Sequence, residues 1–591
     1  MGASFTGRNA LLGGVVLAFY PALTAAALYP LPWVFAVLAP LSYGAEAALP
    51  ARAAERLGRL QLPATLRFLM REMAAVLLLA RTAGADSTWF ALLAGGLFLF
   101  HWTRAAHSGL ATYLNRCHNL KPVDTRNVDV AFPPAPPETL VNWRGARLLY
   151  LDALPVATAA FGALTGNDWL GAAGAGAALA LEAAAVLALS VHVRRAAPLA
   201  DRRGVIAAVD ERVRAYRPEV LLYFSGPADS AYQATMWLGP LERISARALV
   251  VLRERELLGA LGETTLPVLC IPSAVDMMNF RGLDTARVAL FASNVGNNIH
   301  MLRTPGVVSV FIGHGDSDKE ASFNPFTKVY DEVWVAGPAG RDRYRRAGVG
   351  VRDEAIVEVG RPQLAGVRRT GPGLPYPSVL YAPTWEGWTD DLFHTSVITM
   401  GPALVRELLA LGVRVIYKPH PLTGHRSAAA RRAHAAIMRT LRDAGDGAVP
   451  HLAVTGDEPH LYECFNRADL LISDISSVIA DFLASGKPYA VTNVAGLPER
   501  EFRERYPTAA AAYLIGPDRA ELPGVVSRIR PEEDVLAEAR RELRGHLLGP
   551  DHPDALTRFD EAVTAARARA GGGEAAAAAG RSLATAGDEV A

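Results

Sequence analysis

Four short stretches of this chain combine residue types that could handle an anionic substrate. In "VFIGHGDSDK" a histidine, His314, stands between two glycines, with Asp316, Asp318 and Lys319 just after it. "LYAPTWE" carries Thr384, Trp385 and Glu386, and "VIYKPHP" carries Lys418 and His420 with prolines on both sides of the histidine. "LLISDISSVIADF" supplies Ser473, Asp474, Ser476, Ser477 and Asp481. An imidazole titrates near neutrality and can take a proton from a hydroxyl. A lysine beside a second imidazole offers two donors to one anion. Serines opening a helix either cap it or, with its free N–H groups, donate to a phosphate. Each feature also has a plain reading: a strand-end histidine or a capping serine is often structural. Asp316 and Asp318 form a short Asp-x-Asp that could hold a divalent ion with substrate phosphates.

All four stretches follow apolar runs, and those runs define the elements that would position them. From about residue 218 the chain alternates runs rich in β-branched residues with helical stretches, which predicts buried parallel strands in βαβ order. Seven such runs, from "EVLLYFSG" to "AIVEVG", precede the Pro/Gly-rich segment "RPQLAGVRRTGPGLPYP". Six more follow, from "SVLYAPTW" to "AYLIG". The pattern predicts two doubly wound, Rossmann-like domains in series, with ligand at the carboxyl ends of the strands.

The first third reads differently. Apolar stretches at 11–29, 31–49, 68–80, 87–102, 146–166 and 169–193 predict about six membrane spans. Arginines follow each pair (Arg52, Arg56, Arg59 and Arg67; Arg104, Arg116 and Arg126; Arg194, Arg195, Arg202 and Arg203). The positive-inside rule then predicts a multi-pass cell-membrane protein with its soluble part cytoplasmic. Asp152 and Glu182 fall inside the last pair and are either functional or bundle-interior carboxylates. The predicted divisions are 1–203 transmembrane, 204–372 and 373–548 as the two α/β domains, and 549–591 as a C-terminal helix and disordered tail.

Over 591 residues the formal net charge is +1, which excludes the basic stripe of a nucleic-acid binder. Cys117, Cys270 and Cys464 lie far apart, with neither metal nor disulfide spacing.

"LYAPTW", "KPHP", "ADLLISDISSVIADFLASGKPYAVT" and the upstream "GHG", in that order, resemble the CDP-glycerol glycerophosphotransferases of teichoic acid synthesis. The resemblance is good over about 375–495 and thinner over 285–340. It implies a GT-B architecture with an acceptor-side first domain and a donor-side second. It also implies transfer of glycerol phosphate, or a similar polyol phosphate, from CDP-glycerol to a hydroxyl of a lipid-linked or cell-wall polymer acceptor, releasing CMP. CDP-glycerol is the substrate, and no cofactor or metal is implied. Carried onto this chain, His314 matches the base on the acceptor hydroxyl, and His420 with Lys418 matches the groups facing the donor pyrophosphate. Thr384, Trp385, Ser473, Asp474, Ser476 and Ser477 fall at the donor, and Asp481 is similar to a carboxylate near the ribose. The chain departs from the family pattern at Gly313, where a tryptophan is usual, and in the "DSDKEAS" that follows. The alternative reading is a GT-B glycosyltransferase using a nucleotide sugar for a cell-envelope glycan.

Overall fold

In the computed structural model, the described residues are 7–141, 148–315, 324–387, 395–445, 449–456, 460–529, 532 and 534–570. They divide into a helical unit, 1–121 with 131–205, and an α/β unit, 122–130 with 206–591.

Each apolar run of the second part becomes a strand, and the central ones, such as β2, β3, β9 and β12, are buried on both faces. The first sheet contains β1 (Asp124–Arg126), β2 (Val220–Phe224), β3 (Ala248–Leu252), β4 (Val268–Cys270), β5 (Val288–Phe291), β6 (Val308–Phe311), β7 (Glu332–Val335) and β8 (Ile356–Glu358). Their order is β1-β4-β3-β2-β5-β6-β7-β8. All pairs are parallel except β1 with β4. The second sheet contains β9 (Ser378–Ala382), β10 (Arg414–Tyr417), β11 (Leu452–Ala453), β12 (Leu470–Ser473), β13 (Tyr489–Thr492) and β14 (Tyr513–Ile515), ordered β11-β10-β9-β12-β13-β14 and parallel throughout. In both sheets the chain winds outward one way and then the other from the first parallel strand. The switch points, where such sheets bind ligand, fall between β2 and β5 and between β9 and β12.

Two features were not expected. β1 is a short polar edge strand, "DTR", taken from the first third of the chain. The helix over 555–570 returns to the first lobe, where Phe559, Val563 and Ala566 join the core around Trp237 and Trp334.

Of the expected six spans, the helical unit shows one by length and composition among the described residues. Among the described residues only Trp169–Ala200 is long and apolar enough to cross a membrane; Gly13–Leu28 and Tyr150–Thr165 are shorter apolar helices. Pro32–Ala47 has 16 residues, Ala64–Thr82 carries Arg67, Arg71 and Glu72, and Thr88–Asn119 is interrupted by His101 and Arg104. Of these ionisable groups Arg67, Arg71, Glu72 and Arg104 are buried. Glu46 accepts from Arg67 at 2.5 Å and Arg71 at 3.0 Å, and Arg71 also donates to Ser42 Oγ at 2.7 Å. Of the two carboxylates singled out in the sequence, Glu182 pairs with His107 Nδ1 at 2.7 Å. Asp152 is buried with neither oxygen hydrogen-bonded among the described residues. The predicted disordered tail, 571–591, lies outside the described residues, as do Asp316, Asp318 and Lys319.

Candidate active site

The site lies within the α/β unit, on loops leaving the carboxyl ends of β6, β9, β10 and β12. His314 follows β6 through Gly313, whose φ of +59° lies in the left-handed region where a β-carbon is disfavoured. The indole of Trp237 donates to the Gly313 carbonyl at 2.8 Å and fixes this turn. A tryptophan at 313 would have to adopt that strained conformation, which gives the departure from the family pattern a backbone reason. The turn brings His314 Nδ1 within 3.2 Å of the Ala292 carbonyl, just beyond β5. A carbonyl only accepts, so Nδ1 carries the proton and Nε2 keeps a lone pair. His314 is exposed to solvent. Desolvation, joined by the positive charge of Arg361, lowers its pKa and outweighs the Ala292 bond. The neutral imidazole is therefore the resting form at pH 7.

His420 has the opposite polarity. Its Nδ1 accepts the Leu422 backbone N–H at 3.1 Å, so the neutral ring carries its proton on Nε2 and is a donor there. Trp385 stacks on it at 5.8 Å between centroids and 18° between planes. The carboxylate of Glu386 accepts the N–H groups of Gly424, Arg426 and Ser427 at 2.9–3.0 Å. Burial raises its pKa, but those bonds outweigh it and hold the group ionised. Glu386 thus fastens the loop after His420 to the loop that carries Trp385.

The two imidazoles, from different lobes, meet at one ring. Tyr232, at the start of helix Tyr232–Leu241, stands edge-on to His314 (6.1 Å, 90°) and to His420 (6.5 Å, 85°). Next to His314, a β-carbon placed on Gly315 would come within 3.1 Å of Ser477, so the first lobe's loop sits against the helix Ser477–Phe482 of the second. His314, His420, Trp385 and Ser477 therefore share a crevice.

The remaining expected residues are placed otherwise. Asp474 has 0% exposure. It accepts from Thr384 N at 2.8 Å, Ser396 N at 3.2 Å and the Thr492 hydroxyl, and burial raises its pKa against those bonds. It pins the loop after β9 to β13 and is shut off from any donor phosphate. Thr384 contributes a backbone N–H to that pin, and Ser473 is buried with its hydroxyl on the Ala382 carbonyl at 2.7 Å. Ser476 occupies the N-cap position without a capping side-chain bond; its hydroxyl lies 3.4 Å from that of Ser473. Lys418 reaches the Gly456 carbonyl at 2.6 Å. Asp481, expected near a ribose, is held by Arg361 at 3.0 and 3.1 Å and by the Tyr462 hydroxyl at 3.2 Å.

Tyr232 and Arg361 are the residues sequence reasoning missed. Tyr232 lay in a stretch read as a connecting helix, and Arg361 opened the segment read as a linker. Among the described residues no cluster of three metal-ligating side chains occurs.

No curated protein matches the chain. Among solved structures it is similar to the wall teichoic acid polymerase TagF (13% identity, TM-score 0.40, covering 64% of this chain and 95% of that one). It is also similar to a glycosyltransferase from Rickettsia africae (12% identity, TM-score 0.37, 59% and 98%). Residues 368–494, which include Thr384, Trp385, Lys418, His420 and the 473–481 stretch, match the family described as CDP-Glycerol:Poly(glycerophosphate) glycerophosphotransferase.

Proposed function

We propose that the protein moves glycerol phosphate, or a similar polyol phosphate, from CDP-glycerol to a hydroxyl of a lipid-linked or cell-wall polymer acceptor and releases CMP. The observation that carries this reading is the pair of imidazoles of opposite polarity against Tyr232, one on the segment that matches the family and one facing it. In this reading His314 Nε2 takes the proton of the acceptor hydroxyl as its oxygen bonds to the glycerol-side phosphorus. The bond from that phosphorus to the bridging oxygen breaks, and CMP leaves with the electron pair. His420 Nε2–H and Lys418 stabilise the charge on the departing phosphate. Lys418 exchanges a neutral carbonyl for an anionic oxygen, a stronger partner. Ser477 borders the same phosphates, and Trp385 buttresses His420.

We place the helical unit in the membrane as a multi-span domain with the two lobes on the cytoplasmic side. In support, most of the exposed large apolar side chains, such as Trp33, Phe98, Trp102, Phe161 and Leu187, belong to that unit. The arginines between its apolar segments fit that orientation.

The test is incubation of purified protein with CDP-glycerol, CDP-ribitol and UDP-sugars, each labelled on the transferred group, with nucleotide release measured. CMP release from a CDP-polyol is expected. His314→Ala should lower it by about 10²–10⁴-fold while leaving CDP-glycerol binding unchanged. UDP release in place of CMP, or near wild-type turnover by His314→Ala, overturns the reading.

A further inference from the structure

We infer that a second cavity in the first lobe is a subsite for an uncharged, polyhydroxylated part of the acceptor, a glycosyl residue, and that it rejects phosphate. The inference builds on the acceptor role given to this lobe under the proposed function. The cavity, about 570 Å³, opens at the carboxyl ends of β2, β3 and β5, the switch point of the first sheet. Its size is that of a small-ligand site.

Its wall has two characters. Pro227, Ala228 and Val295 present carbon, which suits the C–H face of a sugar ring. Opposite them, Glu254 anchors a polar corner. Its carboxylate accepts from the Ser225 hydroxyl at 2.6 Å, the Gly226 N–H at 3.0 Å and Asn297 Nδ2 at 3.2 Å. A carboxylate offers about four lone-pair sites, so three donors leave room for one ligand hydroxyl, and the Asn297 carbonyl oxygen is a further acceptor. The corner is built on the core: buried Tyr223 donates to the Asn297 backbone carbonyl at 2.8 Å. Glu254 and Glu256 are among the residues lining the cavity, and none of its lining residues is a lysine or arginine. A phosphate would meet the two carboxylates at the wall, with Arg253 turned away from it onto Tyr223, whereas hydroxyls would meet acceptors.

Two short chain segments tie the cavity to the reacting groups. Ala292, whose carbonyl holds His314, is three residues from Val295, at most about 10 Å of extended backbone. Ala228 opens the single 3₁₀ turn Ala228–Ser230 that leads into Tyr232, the ring between the two imidazoles. A sugar seated here could present a hydroxyl to His314 without its remainder leaving the lobe.

The experiment is saturation-transfer NMR on the full-length protein in detergent, with methyl β-glucoside and methyl N-acetyl-β-glucosaminide as probes and glycerol 3-phosphate as competitor. Binding of a glycoside is expected, with no displacement by glycerol 3-phosphate. Asn297→Ala and Glu254→Gln should each weaken it by about tenfold or more. Val295→Trp, a partly exposed position where a large ring fills the cavity without touching the core, should abolish it while leaving the melting temperature unchanged. The inference is overturned if neither glycoside binds, if glycerol 3-phosphate competes equally, or if Val295→Trp and Asn297→Ala bind as wild type does. CMP release from CDP-glycerol by the same preparation is scored separately. Glycoside binding without CMP release sinks the donor assignment and keeps the subsite; CMP release without glycoside binding does the reverse.

Discussion

Arg361 and Asp481 join the two lobes through one buried ion pair, and breaking it from either side should have a defined signature. The guanidinium donates through Nε and Nη2 to the two carboxylate oxygens at 3.0 and 3.1 Å, and the side chains are 6% and 7% exposed. Tyr462 adds a hydroxyl at 3.2 Å; burial first and the Asp481 charge second raise its pKa, so it stays a donor. Arg361→Met leaves a buried carboxylate with that phenol alone, and removing one partner of a buried pair typically costs about 3–5 kcal/mol. Arg361→Met with Asp481→Leu removes both charges and should recover most of the loss. Urea unfolding of the detergent-solubilised protein at constant slope measures each corner of the cycle. A second readout follows from His314. The Arg361 charge helps to lower that imidazole's pKa, so Arg361→Met should move the acid limb of kcat/KM to higher pH. Asp481→Asn should change stability and leave the KM for CDP-glycerol nearly untouched, because both oxygens are already engaged. If the double variant is as unstable as the two singles added together, or if Asp481→Asn raises that KM without loss of stability, the assignment of this pair to the lobe contact is refuted.

Two further outcomes are expected. Since desolvation and Arg361 disfavour the imidazolium of His314, the folded protein binds that proton more weakly than the unfolded chain does. The acid limb of wild-type kcat/KM should therefore lie below the ordinary histidine value near 6.5; a pH–rate profile with its limb at 7 or above contradicts this. Glu46→Ala leaves Arg67 and Arg71 buried without their shared carboxylate. It should lower the stability of the helical unit by about 3–5 kcal/mol, seen as a lower melting temperature in detergent, while Glu55→Ala, on an exposed pair, should change nothing measurable.

The strands were legible because strands buried on both faces must be apolar throughout, and every such run from "EVLLYFSG" onward forms one. β1 was not, since a three-residue polar edge strand carries no periodic signal. In the helical unit, composition did not show that Arg67, Arg71 and Glu72 face inward, a placement that depends on neighbours distant in sequence. Within the site, His314, Trp385 and His420 were legible as polar groups just beyond strands. The same rule mistook Asp474 and Ser473 for ligand contacts, because a polar residue beyond a strand can face a crevice or pin two loops together, and burial alone separates the cases. Tyr232 and Arg361 owe their places to the meeting of two lobes, which no local pattern encodes.

The opposite polarity of the two histidines comes from the backbone around each. Pro421 has no N–H, so the first backbone donor after His420 is that of Leu422, and it reaches Nδ1. At His314 the left-handed turn at Gly313 returns the ring toward β5, where the atom in reach is a carbonyl. One hydrogen bond thus makes an imidazole a donor at Nε2 and the other makes it an acceptor there. A base and a charge stabiliser are the two roles that phosphoryl transfer to an alcohol asks of its side chains. Because each tautomer is set by the backbone, substituting neighbouring side chains should leave both roles in place. Altering Gly313 or Pro421 should disturb them.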